Sequence, residues 1–376
     1  MTTVEMLFYA VATGCLLVQM IFYWGVFARF VFARKSAKTS TGVLRVSVVV
    51  CAKNNALYLR KFLPLILNQD YPDFEVVVVN DNSDDSTEGL LREMQQQYKQ
   101  LQVVAISTSF TASDKKKLAL AVGIRSAKNE WVLITDVDCC PNSPHWISEM
   151  TAAYSPEKQI VLGYGSYKIQ TGVLDKLLRF DTLHTAVQYF SLALAGYPYR
   201  GTGRNVLYRK DLFLSNQNYL SLYRALSEND DLFINQVADK HNTATACQPD
   251  AHTLAEQSHL SFSKWMIQLK DRSRTKKYYK MKNKFILKMY GASGFLFYLT
   301  FFLSLVCLWR NWFALALFAG AFCLRLLSQW IIFGKACNKL NEKKLIGKIP
   351  LMDLFFTFFM PLVLSVLVVK KQKRWK

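Results

Sequence analysis

Two aspartates, Asp136 and Asp138, follow a strongly apolar run over 131–135 and are separated by one residue. Side chains two positions apart on extended backbone point the same way, so both carboxylates can approach one hard cation. Mg²⁺ or Mn²⁺ held by one or two carboxylates keeps its other positions for water and substrate phosphates. A third acid, Asp81, ends another apolar run over 74–80 and could accept hydrogen bonds from a nucleobase or ribose. These acids predict a site for a nucleotide and for the metal ion that neutralises its phosphates.

A second group of acids and hydroxyls, Asp84, Asp85 and Ser86, precedes a helical segment. Such residues are favoured at helix N-termini because they accept hydrogen bonds from free backbone N–H groups, so we expect a capping role for them. Three lysines at 115–117 also precede a helix, where the helix dipole disfavours positive charge. They could face phosphates, with Lys116 among them, or they could cover a solvated surface.

A glycine-containing turn within 199–213 places Gly203, Arg204 and Asn205 next to one another. Glycine lets the backbone approach a ligand closely, and the two residues after it offer polar groups. A plain turn explains the same pattern, so this segment alone leaves both interpretations open.

A helical segment over 227–238 carries three carboxylates in its first turn, on Glu228, Asp230 and Asp231. Acids at this end stabilise any helix through its dipole. Three of them exceed what capping requires, and one could serve as a general base.

Farther along the chain, Trp265, Gln268 and Arg272 have the spacing i, i+3 and i+7, which places them on one face of a helix. They could close over a diphosphate, or they could form a stripe at a membrane interface. The spacing does not distinguish the two.

The elements that must position these side chains alternate between strands and helices. Strands are predicted over 45–55 (with its turn), 74–80, 102–106 and 131–135, and helices over 57–67, 86–98 and 115–127. This alternation predicts right-handed crossovers and a mostly parallel, Rossmann-like sheet of the α/β class. Ligands of such sheets bind beyond the carboxyl ends of the strands, which is where the predicted acids lie.

Apolar segments predict membrane helices on both sides of this soluble part. Residues 6–28 contain no charge and are long enough for a bilayer core of roughly 30 Å, so we interpret them as a retained anchor. Two more membrane segments are predicted over 291–309 and 312–334. The last apolar segment, 351–369, contains Asp353 and a proline, which favour a kinked, re-entrant or interfacial segment.

The positive charge of the chain follows this topology. The chain has 376 residues and a formal net charge of +20, and 264–288 carries ten Lys or Arg against a single Asp. Basic residues mark cytosolic ends of membrane helices, and beside anionic lipid each is stabilised by about 1 kcal/mol. The charge is therefore weak evidence for a nucleic-acid partner. We predict an anchor and linker over 1–43, a soluble domain over 44–275 and a C-terminal membrane region over 276–376.

Cysteine and histidine spacing excludes two other classes of site. The eight cysteines contain no C-x-x-C pair, and the five histidines lack zinc-ligand spacing. This pattern is typical of a reduced cytosolic domain.

Taken in order, these segments resemble the family 2 glycosyltransferases, which share the GT-A fold and use nucleotide-diphosphate sugars. VSVVVCAKNN resembles the first strand and nucleotide-contacting turn of the family, VVVVNDNSDDST its V-D-D-G-S-T-D segment, and KKLALAVGI its K-x-x-A-L-N-x-G-I helix. TDVDC is similar to the metal-binding D-x-D, GTGRN to the acceptor-side loop and ENDDL to the E-D-x-D-L base segment. WMIQLKDR partly resembles the Q-x-x-R-W signature of membrane-bound polysaccharide synthases, so the membrane-anchored bacterial type is expected.

The resemblance implies a role for each matching residue. The implied roles are nucleotide binding for Ala52, Asn54, Asp81, Lys116 and Asp136, binding of Mg²⁺ or Mn²⁺ for Asp136 and Asp138, acceptor binding for Gly203, Arg204 and Asn205, and diphosphate gating for Gln268 and Arg272. Asn80 and Ala121 depart from the family pattern, and Asn229 stands where its base is expected. The base is then one of Asp230, Asp231 and Glu228, and we favour Asp230.

The resemblance implies an inverting glycosyltransferase at the cytosolic face of the cell (inner) membrane, as a multi-pass protein. It would move a sugar from a nucleotide-diphosphate sugar to a hydroxyl of a lipid-linked or polysaccharide acceptor, with no nucleic-acid partner. A non-catalytic membrane scaffold that binds nucleotide sugars is one alternative, and Asn229 motivates it. A processive polysaccharide synthase is another, although about three membrane segments disfavour an export channel.

Overall fold

The computed structural model describes residues 3–34, 43–106, 112–215, 231–256 and 261–369. The chain forms two compact units, which we name the sheet unit and the helical unit. The sheet unit comprises Arg34–Thr171 and Ala193–Leu260, and the helical unit comprises Met1–Ala33, Gly172–Leu192 and Ser261–Lys376.

Ten strands are present in the described part of the chain. They are β1 (Val46–Ala52), β2 (Phe74–Asp81), β3 (Leu101–Ile106), β4 (Trp131–Asp136), β5 (Cys139–Pro141), β6 (Ile160–Leu162), β7 (Gly165–Tyr167), β8 (Val206–Arg209), β9 (Thr243–Thr245) and β10 (Thr253–Ala255). The first four agree with the strands predicted from the apolar runs. The six short strands that follow were not predicted, because three or four residues are too few for a periodic pattern.

The described α-helices lie in both units. They are α1 (Thr3–Met20), α2 (Ala28–Val31), α3 (Ala56–Leu67), α4 (Thr87–Gln97), α5 (Ala112–Ser126), α6 (Trp146–Thr151), α7 (Val173–Leu194), α8 (Lys210–Leu214), α9 (Asp231–Val237), α10 (Phe262–Thr275), α11 (Met281–Cys307), α12 (Trp312–Lys339), α13 (Ile349–Leu354) and α14 (Met360–Val369). π-helical segments join α1 to α2 and α13 to α14. The three predicted crossover helices correspond to α3, α4 and α5.

The larger sheet has seven strands in the order β3-β2-β1-β4-β8-β6-β9. β1 pairs in parallel with β2 and β4, and β2 pairs in parallel with β3. β8 runs antiparallel to both of its neighbours, β4 and β6. A second sheet of three strands has the order β5-β10-β7. The predicted α/β class with a mostly parallel sheet is confirmed.

The central strands are apolar on both faces because helices cover both. Val48, Val49 and Val50 on β1 are at most 1% exposed. Gly123 of α5 permits very close packing on one face, since a Cβ there would lie 2.6 Å from Val49 Cγ1 and 2.8 Å from Val79 Cγ2. A fixed distance between helix and sheet follows from this contact.

The helical unit contains four helical runs long and apolar enough to cross a membrane, Met6–Val31, Met281–Cys307, Trp312–Lys339 and Lys343–Val363. They indicate that the protein associates with a membrane. The first run covers the segment predicted over 6–28 and the third covers 312–334, while the second covers 291–307 of the segment predicted over 291–309. The fourth overlaps 351–369, whose re-entrant or interfacial position stays a prediction.

A buried polar network joins these four helical runs. Arg325 Nη1 donates to Asp353 Oδ2 at 2.8 Å, and Tyr298 Oη donates to the same oxygen at 2.7 Å. Arg325 Nη2 also donates to Gln19 Oε1 at 3.3 Å. All four residues are at most 1% exposed. The charge of Asp353, which favoured an interfacial segment, is therefore neutralised inside the helical unit.

The units differ from the predicted soluble domain over 44–275. Most of α7 and all of α10 belong to the helical unit. Aromatic packing explains the position of α7, since Phe190 stacks on Phe30 with ring centroids 5.0 Å apart and Phe180 packs on Phe333 at 6.2 Å. Helix periodicity alone did not show which unit this apolar face would join.

Candidate active site

The carboxyl ends of β1, β2 and β4 meet at one edge of the larger sheet. In the register of the sheet, Cys51 pairs with Asp136 across β1 and β4, and Ala52 pairs with Asn80 across β1 and β2. Asp81 follows Asn80 directly. Asp81 and Asp136 therefore lie at the edge where such sheets bind ligands, as the apolar runs predicted, and Ala52 lies there with them; their roles in nucleotide binding stay predictions.

The turn after β1 is hydrogen-bonded to the turn after β2. Asn54 has a φ of +53°, in the left-handed region that asparagine tolerates, and its N–H donates to Ser83 Oγ at 2.9 Å. Its Oδ1 accepts from the Asp84 N–H at 2.8 Å, and the Ala56 N–H donates to Asp85 Oδ2 at 3.2 Å. The two turns therefore form one rigid rim beside the strand ends.

The capping role predicted for 84–86 holds for one of its three residues. Asp85 Oδ1 accepts from the Thr87 N–H at 3.0 Å, at the start of α4. Ser86 makes no capping bond through its side chain, and Asp84 takes part through its backbone N–H. The Asp85 carboxylate is long enough to reach the N–H of Thr87, two positions along the chain, which explains why Asp85 caps the helix through its side chain and the other two residues do not.

Asn80, the first departure from the family pattern, supports this rim. Its side chain is buried, and its Oδ1 accepts from the Ser83 N–H at 3.3 Å. An amide oxygen accepts this bond as a carboxylate oxygen would, without bringing a second buried charge beside Asp81. The departure is therefore compatible with a well-formed turn after β2.

Lys53 lies over the strand end, a position that the sequence motifs did not single out. Its Nζ is 3.5 Å from Asp81 Oδ2 and donates to the Asp81 backbone carbonyl at 3.2 Å. The Asp81 side chain is 8% exposed and that of Lys53 is 40% exposed. The lysine can therefore move away while the carboxylate stays in place. In the sequence, the position of Lys53 directly after β1 indicates that it lies at this edge.

Asp136, Asp138 and Cys139 form the group best suited to a metal ion in the described residues. One potential ligand atom from each lies within 4.8 Å of the others. Burial, followed by the charges of Asp138 and Asp136, raises the pKa of the Cys139 thiol well above its ordinary value. The protonated thiol donates to Asp138 Oδ1 at 3.5 Å and is not a ligand in this form. Two carboxylates remain, which fit Mg²⁺ or Mn²⁺.

Asn205 is fully buried, which corrects its predicted role in contacting an acceptor. Its Oδ1 accepts from Trp146 Nε1 at 3.1 Å. Its Nδ2 donates to the carbonyls of Tyr164 at 3.0 Å and Ala251 at 2.6 Å. Every hydrogen-bonding atom of the side-chain amide is therefore used inside the sheet unit. The residue shapes the loop from within, while Gly203 beside it is half-buried.

Arg204, in contrast, lies beside the acidic group. Its guanidinium stacks on Tyr167, with Cζ 4.2 Å from the ring centroid. Burial disfavours its charge, but the acidic groups around it outweigh burial and raise its pKa above the ordinary value; Tyr167 and Cys139 contribute when they are ionised, and Asp136 and Asp138 contribute as carboxylates. Arg204 was predicted on the acceptor side, but its charge interacts with the predicted metal ligands.

The acids predicted as the general base fall mostly outside the described residues. Glu228 and Asp230 lie in the segment 216–230, and Asp231 begins α9 without a described side chain. The Lys116 side chain is likewise not described. Their roles stay predictions.

The residues predicted to gate the diphosphate lie on α10 in the helical unit. Arg272 Nη2 donates to Asp181 Oδ2 at 2.6 Å, and Trp265 Nε1 donates to the same oxygen at 3.5 Å. Gln268 is exposed. Asp181 on α7 thus holds two of the three side chains of the stripe, and the gating role stays a prediction.

A seven-stranded, mostly parallel sheet with acids at its carboxyl edge is typical of α/β domains that bind nucleotides. Residues 47–226 match the family model described as glycosyl transferase family 2. The described structure superposes on the mannosyltransferase PcManGT from Pyrobaculum calidifontis, in complex with GDP-Man and Mn²⁺, with a TM-score of 0.57 and 18% identity, covering 89% of this chain and 98% of that one. The chain carries a family 2 glycosyltransferase domain with the GT-A fold, as its motifs predicted.

Curated relatives match part of the chain. An uncharacterized glycosyltransferase of Haemophilus influenzae is 31% identical over 122 residues, which cover 32% of this chain and 36% of the relative. A beta-monoglucosyldiacylglycerol synthase of Synechocystis is 28% identical over 140 residues, covering 37% of this chain and 28% of the relative. The chain thus spans only about a third of the length of these relatives.

Proposed function

We propose that this protein transfers a sugar from a nucleotide-diphosphate sugar to an acceptor hydroxyl, with inversion, at the cytosolic face of a membrane. The observation that carries the proposal is the position of Asp81, Asp136 and Asp138 at one sheet edge, next to the rigid rim of the first two turns. The family 2 domain supports the reaction class.

The donor would bind along this edge. Asp81 is buried at its strand end and can accept hydrogen bonds from a base or ribose, with Lys53 moving aside. Asp136 and Asp138 would hold Mg²⁺ or Mn²⁺. Such an ion neutralises charge on the diphosphate leaving group when it is bound.

The acceptor would be activated by an acid from 228–231, and Asp230 is our choice. This carboxylate takes the proton of the acceptor hydroxyl while the acceptor oxygen bonds to the anomeric carbon. The bond from that carbon to the diphosphate breaks, and its electron pair leaves with the nucleoside diphosphate. Direct displacement of this kind inverts the anomeric configuration.

The acceptor is proposed to be lipid-linked, or a glycan held at the membrane. The four apolar helical runs support a membrane location, and the similarity to a beta-monoglucosyldiacylglycerol synthase supports a lipid acceptor. Exposed apolar side chains next to the lysines of 264–288 also support it. Phe262, Met281 and Phe285 are 52%, 75% and 67% exposed, a composition suited to the surface of an anionic bilayer.

The test is turnover of a panel of uridine and guanosine diphosphate sugars by the full chain in native-like membranes, with Mn²⁺, Mg²⁺ or EDTA. We expect metal-dependent release of nucleotide with one donor, reduced by about 100-fold or more in Asp138→Ala. The matched control is Asp211→Ala, because Asp211 pairs with Arg209 on the exposed surface.

Asp230→Asn should abolish transfer while donor binding persists. Saturable donor binding without release, even after lipid acceptors are added, would contradict the proposal and favour the non-catalytic scaffold. Products longer than a few sugars would instead favour a processive synthase.

A further inference from the structure

The backbone of Arg204 is tied to the strand that ends at the predicted metal ligands. Its carbonyl oxygen accepts from Thr135 Oγ1 at 3.0 Å and from Thr253 Oγ1 at 2.9 Å. Thr135 directly precedes Asp136 on β4. Any shift of the Arg204 loop relative to Asp136 would break these bonds, so the spacing between the two residues is fixed.

The side chain of Arg204 is also held in direction. A Cβ on Gly165 would lie only 2.7 Å from Arg204 Cβ, so the absence of a side chain at this position makes room for the arginine. The guanidinium then lies over the ring of Tyr167 at 4.2 Å. A cation stacked on an aromatic face loses little freedom when it binds a ligand, because its orientation is already set.

One end of this guanidinium is unsatisfied by the described residues. Arg204 Nη1 is buried and has no hydrogen-bond partner within the part of the chain that the structure describes. Leaving a buried charged donor unsatisfied is costly, so such a group indicates a ligand or water that completes it. A guanidinium fork matches phosphate oxygens, which can accept two parallel hydrogen bonds.

We propose that Arg204 binds the diphosphate of the donor and stabilises the charge that develops when the nucleoside diphosphate leaves. The inference rests on the proposed function and moves Arg204 from the acceptor side to the donor side. Bond cleavage sends an electron pair from the anomeric carbon–oxygen bond to a phosphate oxygen. A fixed donor beside that oxygen stabilises the negative charge without reorganising.

The test compares nucleotides that differ by one phosphate. Binding of UDP, GDP, UMP and GMP, each with Mn²⁺, is measured by titration calorimetry on the full chain in detergent. Arg204→Gln should weaken diphosphate binding by about 10- to 100-fold and change monophosphate binding by less than about 3-fold. Arg204→Lys should recover part of the loss, because it keeps the charge without the fork. The matched control is Arg209→Gln, which removes an arginine on β8 that pairs with Asp211.

Each other outcome overturns the inference. An equal loss for mono- and diphosphates, or no loss, would show that Arg204 does not contact the second phosphate. Tighter Mn²⁺ binding with unchanged diphosphate affinity would make it only a counter-charge to the acids. Failure of the unaltered chain to bind any nucleotide would overturn the proposed function as well, which distinguishes the two failures.

A second variant keeps the inference testable if the Arg204→Gln protein does not fold. Tyr167→Leu removes the ring under the guanidinium and leaves the arginine in place. It should reduce diphosphate affinity by about 3- to 10-fold. Unchanged affinity in a folded Tyr167→Leu protein would contradict a preset orientation of Arg204.

Discussion

Replacement of Asn205 by alanine should destabilise the sheet unit without a specific effect on the acceptor. The Asn205 side chain is 0% exposed and bonds to Trp146 and to two backbone carbonyls. One of these carbonyls, that of Tyr164, keeps a second donor, the Thr253 N–H at 3.1 Å. The substitution therefore leaves the Trp146 indole N–H and the Ala251 carbonyl without the partner that Asn205 supplied.

The expected magnitude follows from these two groups. A buried polar group left unsatisfied costs about 1–3 kcal/mol, so the free energy of unfolding should fall by about 3 kcal/mol or somewhat more. A change of 1.36 kcal/mol is tenfold in an equilibrium constant, so local opening of the unit should become at least roughly 100-fold more frequent.

Hydrogen–deuterium exchange of the full chain in detergent measures this opening in peptides that cover β1 and β4. The matched control is Asn68→Ala, since the side chain of Asn68 is exposed at the end of α3. Exchange that stays within a factor of 3 of the parent, together with a higher KM for the acceptor, would refute the structural interpretation. It would restore the role in acceptor binding that the sequence predicted for Asn205.

Three further predictions concern packing, buried charge and pH. Gly123→Ala should lower the free energy of unfolding, measured in urea, by about 1–2 kcal/mol, because its Cβ would lie 2.6 and 2.8 Å from two valine methyl carbons. The control Gly89→Ala, with open space around it, should stabilise the protein by about 0.5–1 kcal/mol. Equal effects of the two substitutions would contradict the packing argument. Arg325→Met alone should destabilise the helical unit by about 3–5 kcal/mol, whereas Arg325→Met with Asp353→Leu should lie close to the parent in thermal unfolding; a double variant no better than the single one would refute this. His252 is buried, which lowers its pKa from 6.5 to about 4, so the folded protein binds fewer protons than the unfolded chain between these values. Its stability contribution is complete above pH 6.5 and is lost as the pH falls, by about 2 kcal/mol at pH 5, and His252→Gln should remove that loss in urea unfolding compared at pH 7 and pH 5.

The sheet and its acidic edge could be predicted because they depend on local sequence. β1, β2 and β4 are apolar on both faces, and residues directly after such strands lie at the ligand-binding edge. Asp81 and Asp136 were therefore placed correctly without any knowledge of tertiary contacts. The first four strand positions followed from the same signal.

The roles of Asn205 and Arg204 could not be separated from the sequence. They are neighbours in one turn, yet Asn205 is satisfied by partners at 146, 164 and 251, while Arg204 is held by 135, 165 and 253. These partners are distant along the chain, and periodicity carries no information about them. A buried amide and a ligand-binding guanidinium therefore look alike until the strands are assembled.

The same limit applies to the helical unit. Arg325 and Asp353 are visible as single charges in apolar segments, and each by itself argues against a simple membrane helix. Their mutual bond at 2.8 Å removes that argument. Only helix packing, which brings together these two residues 28 positions apart, shows it.

The polar network of the helical unit also sets an order for its biosynthesis. Within a bilayer, an unpaired arginine at the centre of a helix costs about 2.5–3.5 kcal/mol. Arg325 leaves the ribosome before Asp353 does, so the growing protein carries an uncompensated guanidinium until the helix that contains Asp353 is made. That helix completes the polar network, and a nascent chain halted before Asp353 exposes a charge that cellular quality control can recognise. Pulse-chase half-lives of a chain truncated after Leu340 would report this, and a half-life equal to that of the full chain would contradict it.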